Sequence, residues 1–374
     1  MSSDKDNTAH PHISVVDSEE GHKSGATPRS SSGWDGKLRV DKKLELANPE
    51  ALSDPEYSDE EQVLPGEEIE ADEASDLLDD YPSDTSEIDC VHARVSSIPF
   101  LRLDRFKAAT RLCLRQNAIT EIEGLNCVAS TLQELDLYDN LIAHIRGLEE
   151  LTNLKSLDLS FNKIKHIKKI NHLVNLTDLY FVQNKISTIE NLDGLTKLRN
   201  LELAANRIRE IQNLESLIAL EELWLGKNKI TEMKGLDNLQ NLRVLSIQSN
   251  RIRSISGLES LPHLEELYIS HNALTSLEGL EKVNNLRVLD ISNNQIESVN
   301  GLIHMRDLEE LWASYNQISD WTTTEKELKD LEKLNTVYFE GNPLQLKAPA
   351  LYRNKVRLML PQVMQIDATF VRVS

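Results

Sequence analysis

From residue 88 onward the apolar residues follow one repeating pattern, and a single asparagine per period sets its register. Asn117, Asn140, Asn162, Asn184, Asn206, Asn228, Asn250, Asn272, Asn294, Asn316 and Asn342 are separated by 23 residues, then eight steps of 22, then 26. Each closes an L-x-x-L-x-L-x-x-N segment, as in Leu132, Leu135, Leu137 and Asn140, or Leu220, Leu223, Leu225 and Asn228. The period of two in L-x-L predicts a short strand with one buried face. After the asparagine, apolar residues fall at every third position (Ile186, Ile189, Leu192, Leu195, Leu198), the spacing of tight helical turns of the 3₁₀ kind. No unit can cover its own apolar side, so the units must stack. The predicted fold is an α/β solenoid with one parallel sheet on its concave face and short helical (3₁₀ or α) turns on its convex face. The asparagine amide is expected to satisfy backbone groups where the chain leaves the strand.

The ends of such a stack need covering. Residues 88–110 read as a degenerate first unit, in which Val91, Val95, Ile98 and Leu101 keep a rough spacing and Ala93 stands where an asparagine is expected. The array is assigned to 88–342, with a stretched last unit, and a C-terminal cap to 343–374. A helix from Ala350 to Leu360, stopped by Pro361, is expected to lay Leu351, Val356, Met359 and Leu360 over the last strand. Residues 1–87 are rich in Ser, Asp, Glu, Gly and Pro without sustained apolar periodicity, and are read as an acidic disordered tail. Within it, Ser53, Ser58 and Ser86 each have an acidic residue three positions on, a candidate phosphorylation pattern.

Charge sharpens this division. The formal net charge is −20, yet residues 1–90 alone carry 25 acidic and 7 basic residues, so the remainder is nearly neutral. That offers no electrostatic footprint for nucleic acid or an anionic membrane. Three cysteines without a C-x-x-C pair argue against a zinc site or a disulfide framework. There is no signal-peptide pattern and no run of about 18 apolar residues, which points to an intracellular, reducing setting. Nucleotide-binding, metalloprotease and serine-hydrolase motifs are absent, and the ten histidines are scattered. No enzyme, metal or cofactor is expected.

Strand alternation turns the residues six and four before each asparagine outward. Here a second period, of 44 residues, lies over the first: Asp178/Tyr180, Glu222/Trp224, Glu266/Tyr268 and Glu310/Trp312 are acid-plus-aromatic pairs on alternate strands. The same columns carry Asp158, Glu202, Asp290 and Tyr338. Exposed aromatics are the usual anchors of protein interfaces. The face is therefore expected to bind a folded protein with a basic or mixed surface, and to repel phosphates. Its carboxylates, on an open wet surface, are expected to keep nearly ordinary pKa values.

The unit matches the leucine-rich repeat. The stretches TRLCLRQNAI (110–119), ELDLYDN (134–140), LGKNKIT (225–231) and SIQSNRI (246–252), with the tail NPLQ…VRLMLPQVMQIDATFVR (342–372), resemble more closely the leucine-rich-repeat regulatory subunits of type-1 protein phosphatase. The resemblance covers about residues 88–374. It implies a non-catalytic regulator, monomeric before binding, that grips the phosphatase catalytic subunit in its concave face. The family's contact positions fall on Asp158, Tyr180, Glu202, Trp224, Asp290, Glu310, Trp312 and Tyr338; Tyr268 joins them from the column pattern. Tyr180 and Trp224 stand where phenylalanine is familiar. The resemblance also implies nuclear and cytoplasmic location, a mitotic role in chromosome segregation, and a ternary complex with a small disordered phosphatase inhibitor. The alternative is a scaffold of an axonemal or nuclear ribonucleoprotein complex, since such proteins share the generic repeat.

Overall fold

The computed structural model describes residues 77–371. All of the described residues belong to one compact unit. The candidate sites Ser53 and Ser58 lie outside the described residues, as does most of the acidic segment.

Each repeat contributes one three-residue strand. In chain order these are β1 (Glu87–Asp89), β2 (Arg111–Cys113), β3 (Glu134–Asp136), β4 (Ser156–Asp158), β5 (Asp178–Tyr180), β6 (Asn200–Glu202), β7 (Glu222–Trp224), β8 (Val244–Ser246), β9 (Glu266–Tyr268), β10 (Val288–Asp290), β11 (Glu310–Trp312) and β12 (Thr336–Tyr338). β13 (Gln365–Ile366) and β14 (Thr369–Phe370) complete a fourteen-stranded sheet whose spatial order is the chain order. Pairing is parallel through β13 and antiparallel for β14. The central residue of each strand from β1 to β12, a leucine in all but Ile88 and Val337, is buried, so the core runs behind the sheet as one continuous column.

The asparagine column works as a repeated clamp. Asn184 Nδ2 donates to the carbonyls of Leu159 and Phe181, and its Oδ1 accepts from the amide of Ile164 one unit back. The same three bonds recur at Asn206 and Asn228. In the first unit, where Ala93 replaces the asparagine, Asn117 Oδ1 accepts from both Ala93 and Val95. The residue just before each asparagine turns the chain in a left-handed conformation, including the bulky Phe161 (φ 55°) and Tyr315 (φ 56°). These two are therefore turn residues at the sheet margin.

On the opposite side the three-residue spacing appears as isolated turns. Leu195 N bonds Leu192 O and Leu198 N bonds Leu195 O, each buried leucine closing one turn and opening the next. Because the bonds do not overlap from residue to residue, no continuous 3₁₀ helix forms between them. Continuous 3₁₀ turns occur instead at the N-terminal end, over Ile98–Leu101 and Leu103–Arg105.

Both ends differ in detail from the sequence expectation. The ordered fold reaches back past residue 88: Leu78 is buried, Tyr81 Oη donates to the Asp89 carbonyl, and β1 begins at Glu87. The stretched last unit contains α1 (Trp321–Leu328), capped by Asp320, whose carboxylate accepts from the Thr322 and Thr323 amides. A short α2 (Pro343–Leu346) leads into α3 (Pro349–Met359), which buries Tyr352, Val356 and Met359, with Leu360 just beyond. Leu351 is exposed and Tyr352 covers the core in its place. Asp367 fastens the cap: its Oδ1 accepts from the Phe339 and Glu340 amides and from the Tyr352 hydroxyl.

Candidate functional site

Register fixes the site before any side chain is considered. Tyr180 stands opposite Asp158 and Glu202, Trp224 opposite Glu202 and Ser246, Tyr268 opposite Ser246 and Asp290, and Trp312 opposite Asp290 and Tyr338. From β5 to β11, large and small side chains alternate down this column. Strands two apart lie about 9.6 Å from each other, yet the ring centroids of Trp224 and Tyr268 are 6.2 Å apart and nearly parallel at 19°. Tyr268 and Trp312 follow at 6.1 Å, and Trp312 and Tyr338 at 6.0 Å. Trp224, Tyr268 and Trp312 thus lean together across the intervening β8 and β10, and Tyr338 on the adjacent β12 extends them to one aromatic run of four residues.

The acid two positions before the ring orients it. Trp224 Nε1 donates to Glu222 at 3.2 Å, Tyr268 Oη to Glu266 at 2.7 Å, and Trp312 Nε1 to Glu310 at 3.0 Å. The fourth pair departs from this: Asp178 accepts from the Thr177 hydroxyl, and Tyr180 Oη accepts from Asn200 at 3.4 Å. Tyr338 is held at the C-terminal end, where its hydroxyl accepts from Gln365 at 2.6 Å.

The acids between the rings are not on a wet surface, contrary to the sequence expectation. Asp158, Glu202 and Asp290 are 5%, 8% and 4% exposed, although each stands beside at least one aromatic of the column in the strand register. Burial and the Asp136 charge push the Asp158 carboxyl up to about 6. Burial and the Asp158 charge push Glu202 up to about 7. Asp290 is likewise raised by burial, opposed by bonds from Ser270 and Ser292. The nine candidate residues therefore form one continuous site of two kinds: half-buried rings with their orienting acid, and carboxylates in the gaps.

Sequence reasoning placed Arg111, Arg115 and Lys227 on this face but left its basic end out of the candidate site. Arg115 bonds Asp136 through Nε, reaches Asp158 at 3.4 Å through Nη2, and lies 5.0 Å from the centre of the Tyr138 ring. Tyr138 in turn packs against Phe161 at 4.8 Å. Arg115 sits two positions before Asn117, an outward position that could have flagged it. Asp158 thus bridges a neutralised N-terminal patch and the acidic gap under Tyr180.

Among the described residues no cluster of His, Cys, Asp or Glu could hold a metal ion, and no helix is long and apolar enough to cross a membrane. Burial raises the Cys113 thiol to about 11, so it is not poised as a nucleophile.

Comparison with known proteins agrees with this architecture. Leucine-rich-repeat family patterns match residues 152–208 and, in overlapping pairs, 196–304. Protein phosphatase 1 regulatory subunit SDS22 of Schizosaccharomyces pombe is 55% identical over 88 residues, 24% of this chain and 25% of that protein. Its namesake from Saccharomyces cerevisiae is 47% identical over 82 residues, 21% of this chain and 24% of that one. Human protein phosphatase 1 regulatory subunit 7 is 56% identical over 55 residues, 15% and 14% of the two chains. These matches span about a quarter or less of each relative's length. Among solved structures, a Listeria monocytogenes internalin (inlF) superposes with a TM-score of 0.63 at 22% identity, covering 80% of this chain and 95% of that one, a likeness of fold alone. A Leptospira interrogans leucine-rich-repeat protein gives 0.58 at 26% identity over 71% and 74%.

Proposed function

We propose that this chain, a leucine-rich-repeat protein related to the regulatory subunits of protein phosphatase 1, binds the catalytic subunit of type-1 phosphatase on its sheet face and regulates it without catalysing a reaction itself. The observation that carries this is the aromatic run Trp224–Tyr268–Trp312–Tyr338, oriented by same-strand acids and interleaved with recessed carboxylates. Half-buried tryptophans with their indole N–H already satisfied offer large apolar area at little entropic cost, the chemistry of interface anchors. Cationic side chains of the partner entering the gaps would meet Glu202 and Asp290. The nuclear and cytoplasmic setting, the mitotic role and the ternary complex with a small inhibitor belong to the same proposal and rest on the family resemblance.

A pull-down with purified type-1 catalytic subunit tests it. The full chain is expected to capture the subunit and Glu310→Ala/Trp312→Ala to lose it while keeping its circular dichroism spectrum. Capture undiminished by that pair of changes would refute the assigned surface.

A further inference from the structure

A second charged surface lies outside the aromatic column, on the segment that follows each asparagine. The residue immediately after it is Lys163, Lys185, Arg207, Lys229 and Arg251 in five consecutive units, and two positions further on stand Lys165, Arg209 and Arg253. These positions alternate with buried isoleucines such as Ile164, Ile208 and Ile252, so the basic side chains point away from the core. Their spacing is fixed by backbone bonds: Lys185 N donates to Ile164 O, Arg207 N to Ile186 O and Arg251 N to Ile230 O. The unit-to-unit ladder therefore continues past the strand, and the rungs of the basic column lie about 5 Å apart.

The cations are not needed for that ladder. In other units the same positions hold Ala118, Leu141, Ala273, Gln295 and Gln317, and Ala273, Gln295 and Gln317 make the same backbone bond. Lys165 and Lys229 make other contacts. Lys163, Lys185, Arg207, Arg209, Arg251 and Arg253 form no ion pair among the described residues, whose nearby acids Glu190, Glu210 and Glu232 pair with His166 and Lys234. Like charges at this spacing repel, so these six cations favour an anion beside them. The stripe is two columns wide, about 7 Å, and five rungs or about 19 Å long. Those dimensions suit one extended polypeptide, whereas a duplex about 20 Å across would overhang onto the acidic sheet face.

We infer that the chain's own acidic run, residues 67–76, docks along the N-terminal part of this stripe. The run carries Glu67, Glu68, Glu70, Asp72, Glu73 and Asp76, and no Lys or Arg occurs between residues 51 and 90. It ends where the described residues begin, at residue 77. Ten extended residues reach about 33 Å, and β4, which precedes Lys163, lies three strand spacings from β1, about 14 Å. The run can therefore place its carboxylates on Lys163, Lys185, Arg207 and Arg209. This contact would hold the tail on a surface distinct from the aromatic column and leave that column open.

Carbodiimide cross-linking of the full chain, read by mass spectrometry on an equal mixture of isotopically heavy and light protein, tests this directly. Expected are amide links between residues 67–76 and Lys163 or Lys185 within one chain, falling about tenfold at 0.5 M salt and in Arg207→Glu/Arg209→Glu, because screening and charge reversal both remove the attraction. As a check independent of array folding, neutralising the five acids from Glu67 to Glu73 should speed acetylation of Lys163 and Lys185. Links between heavy and light chains, links confined to other lysines, unchanged acetylation, or binding of an RNA homopolymer to the stripe without displacement of the tail would each overturn the proposal.

Discussion

Trp312 Nε1 donates a 3.0 Å hydrogen bond to Glu310, two residues back on the same strand. The bond fixes the edge of the indole and leaves its face free to lie between Tyr268 and Tyr338, at 6.1 and 6.0 Å. The orienting partner need only accept, so Glu310→Gln, whose amide oxygen still can, should weaken phosphatase binding less than Glu310→Ala. Isothermal titration of the two variants gives the order; equal losses would mean that the charge of Glu310, and not its hold on the ring, matters.

Asn184 offers a test of the scaffold. Replacing it with alanine leaves the buried Ile164 amide without its acceptor, while the Leu159 and Phe181 carbonyls each lose one of two donors and keep Asn162 and Asn206. A cost of about 1–3 kcal/mol is expected from the one buried amide left unpaired. Urea unfolding followed by circular dichroism measures it, and a loss below about 1 kcal/mol would show that water replaces the amide.

The recessed carboxylates set a pH dependence. Asp158 and Glu202 are raised to about 6 and about 7, so between their ordinary values and these the folded state holds more protons than the unfolded state. Stability of the free chain should accordingly fall as pH rises from about 4 to 7 and lose nothing further from these groups above that. Glu202→Gln should flatten the fall and stabilise the chain at pH 8. If a partner cation pairs with Glu202, binding should release protons and tighten from pH 6 to 8, which calorimetry in buffers of different ionisation enthalpy detects.

Asp367 joins the cap to β12 through three bonds to one oxygen. Asp367→Ala should loosen the cap first, giving faster amide hydrogen exchange at Phe339 and Glu340 while the central repeats stay protected, since each unit touches only its neighbours. Uniform acceleration along the array would contradict this.

Much of this was legible in the sequence because the repeat states its own register: with Asn184 and Asn206 aligned, the pairing of Tyr180 with Glu202 follows. Alternation says which way a side chain points, but not whether its neighbour leans over it. Glu202 and Trp224 both read as outward, and only the structure shows that Glu202 is buried while Trp224 beside it is half-buried. Leu351 is exposed where Tyr352 is buried because Tyr352, four residues before Val356, shares the face that also carries Met359, whereas Leu351 does not. Arg115 and the basic stripe were visible as letters, but their meaning depended on which nearby acids were already taken.

The central claim is that the aromatic run binds the phosphatase, and the most direct measurement is a titration of purified type-1 catalytic subunit into the full chain and into Trp224→Ala/Trp312→Ala. The account predicts one-to-one binding by the native chain and a loss of about 2 kcal/mol or more per tryptophan, with thermal unfolding of the variant still cooperative. Native affinity in a folded double variant would contradict it.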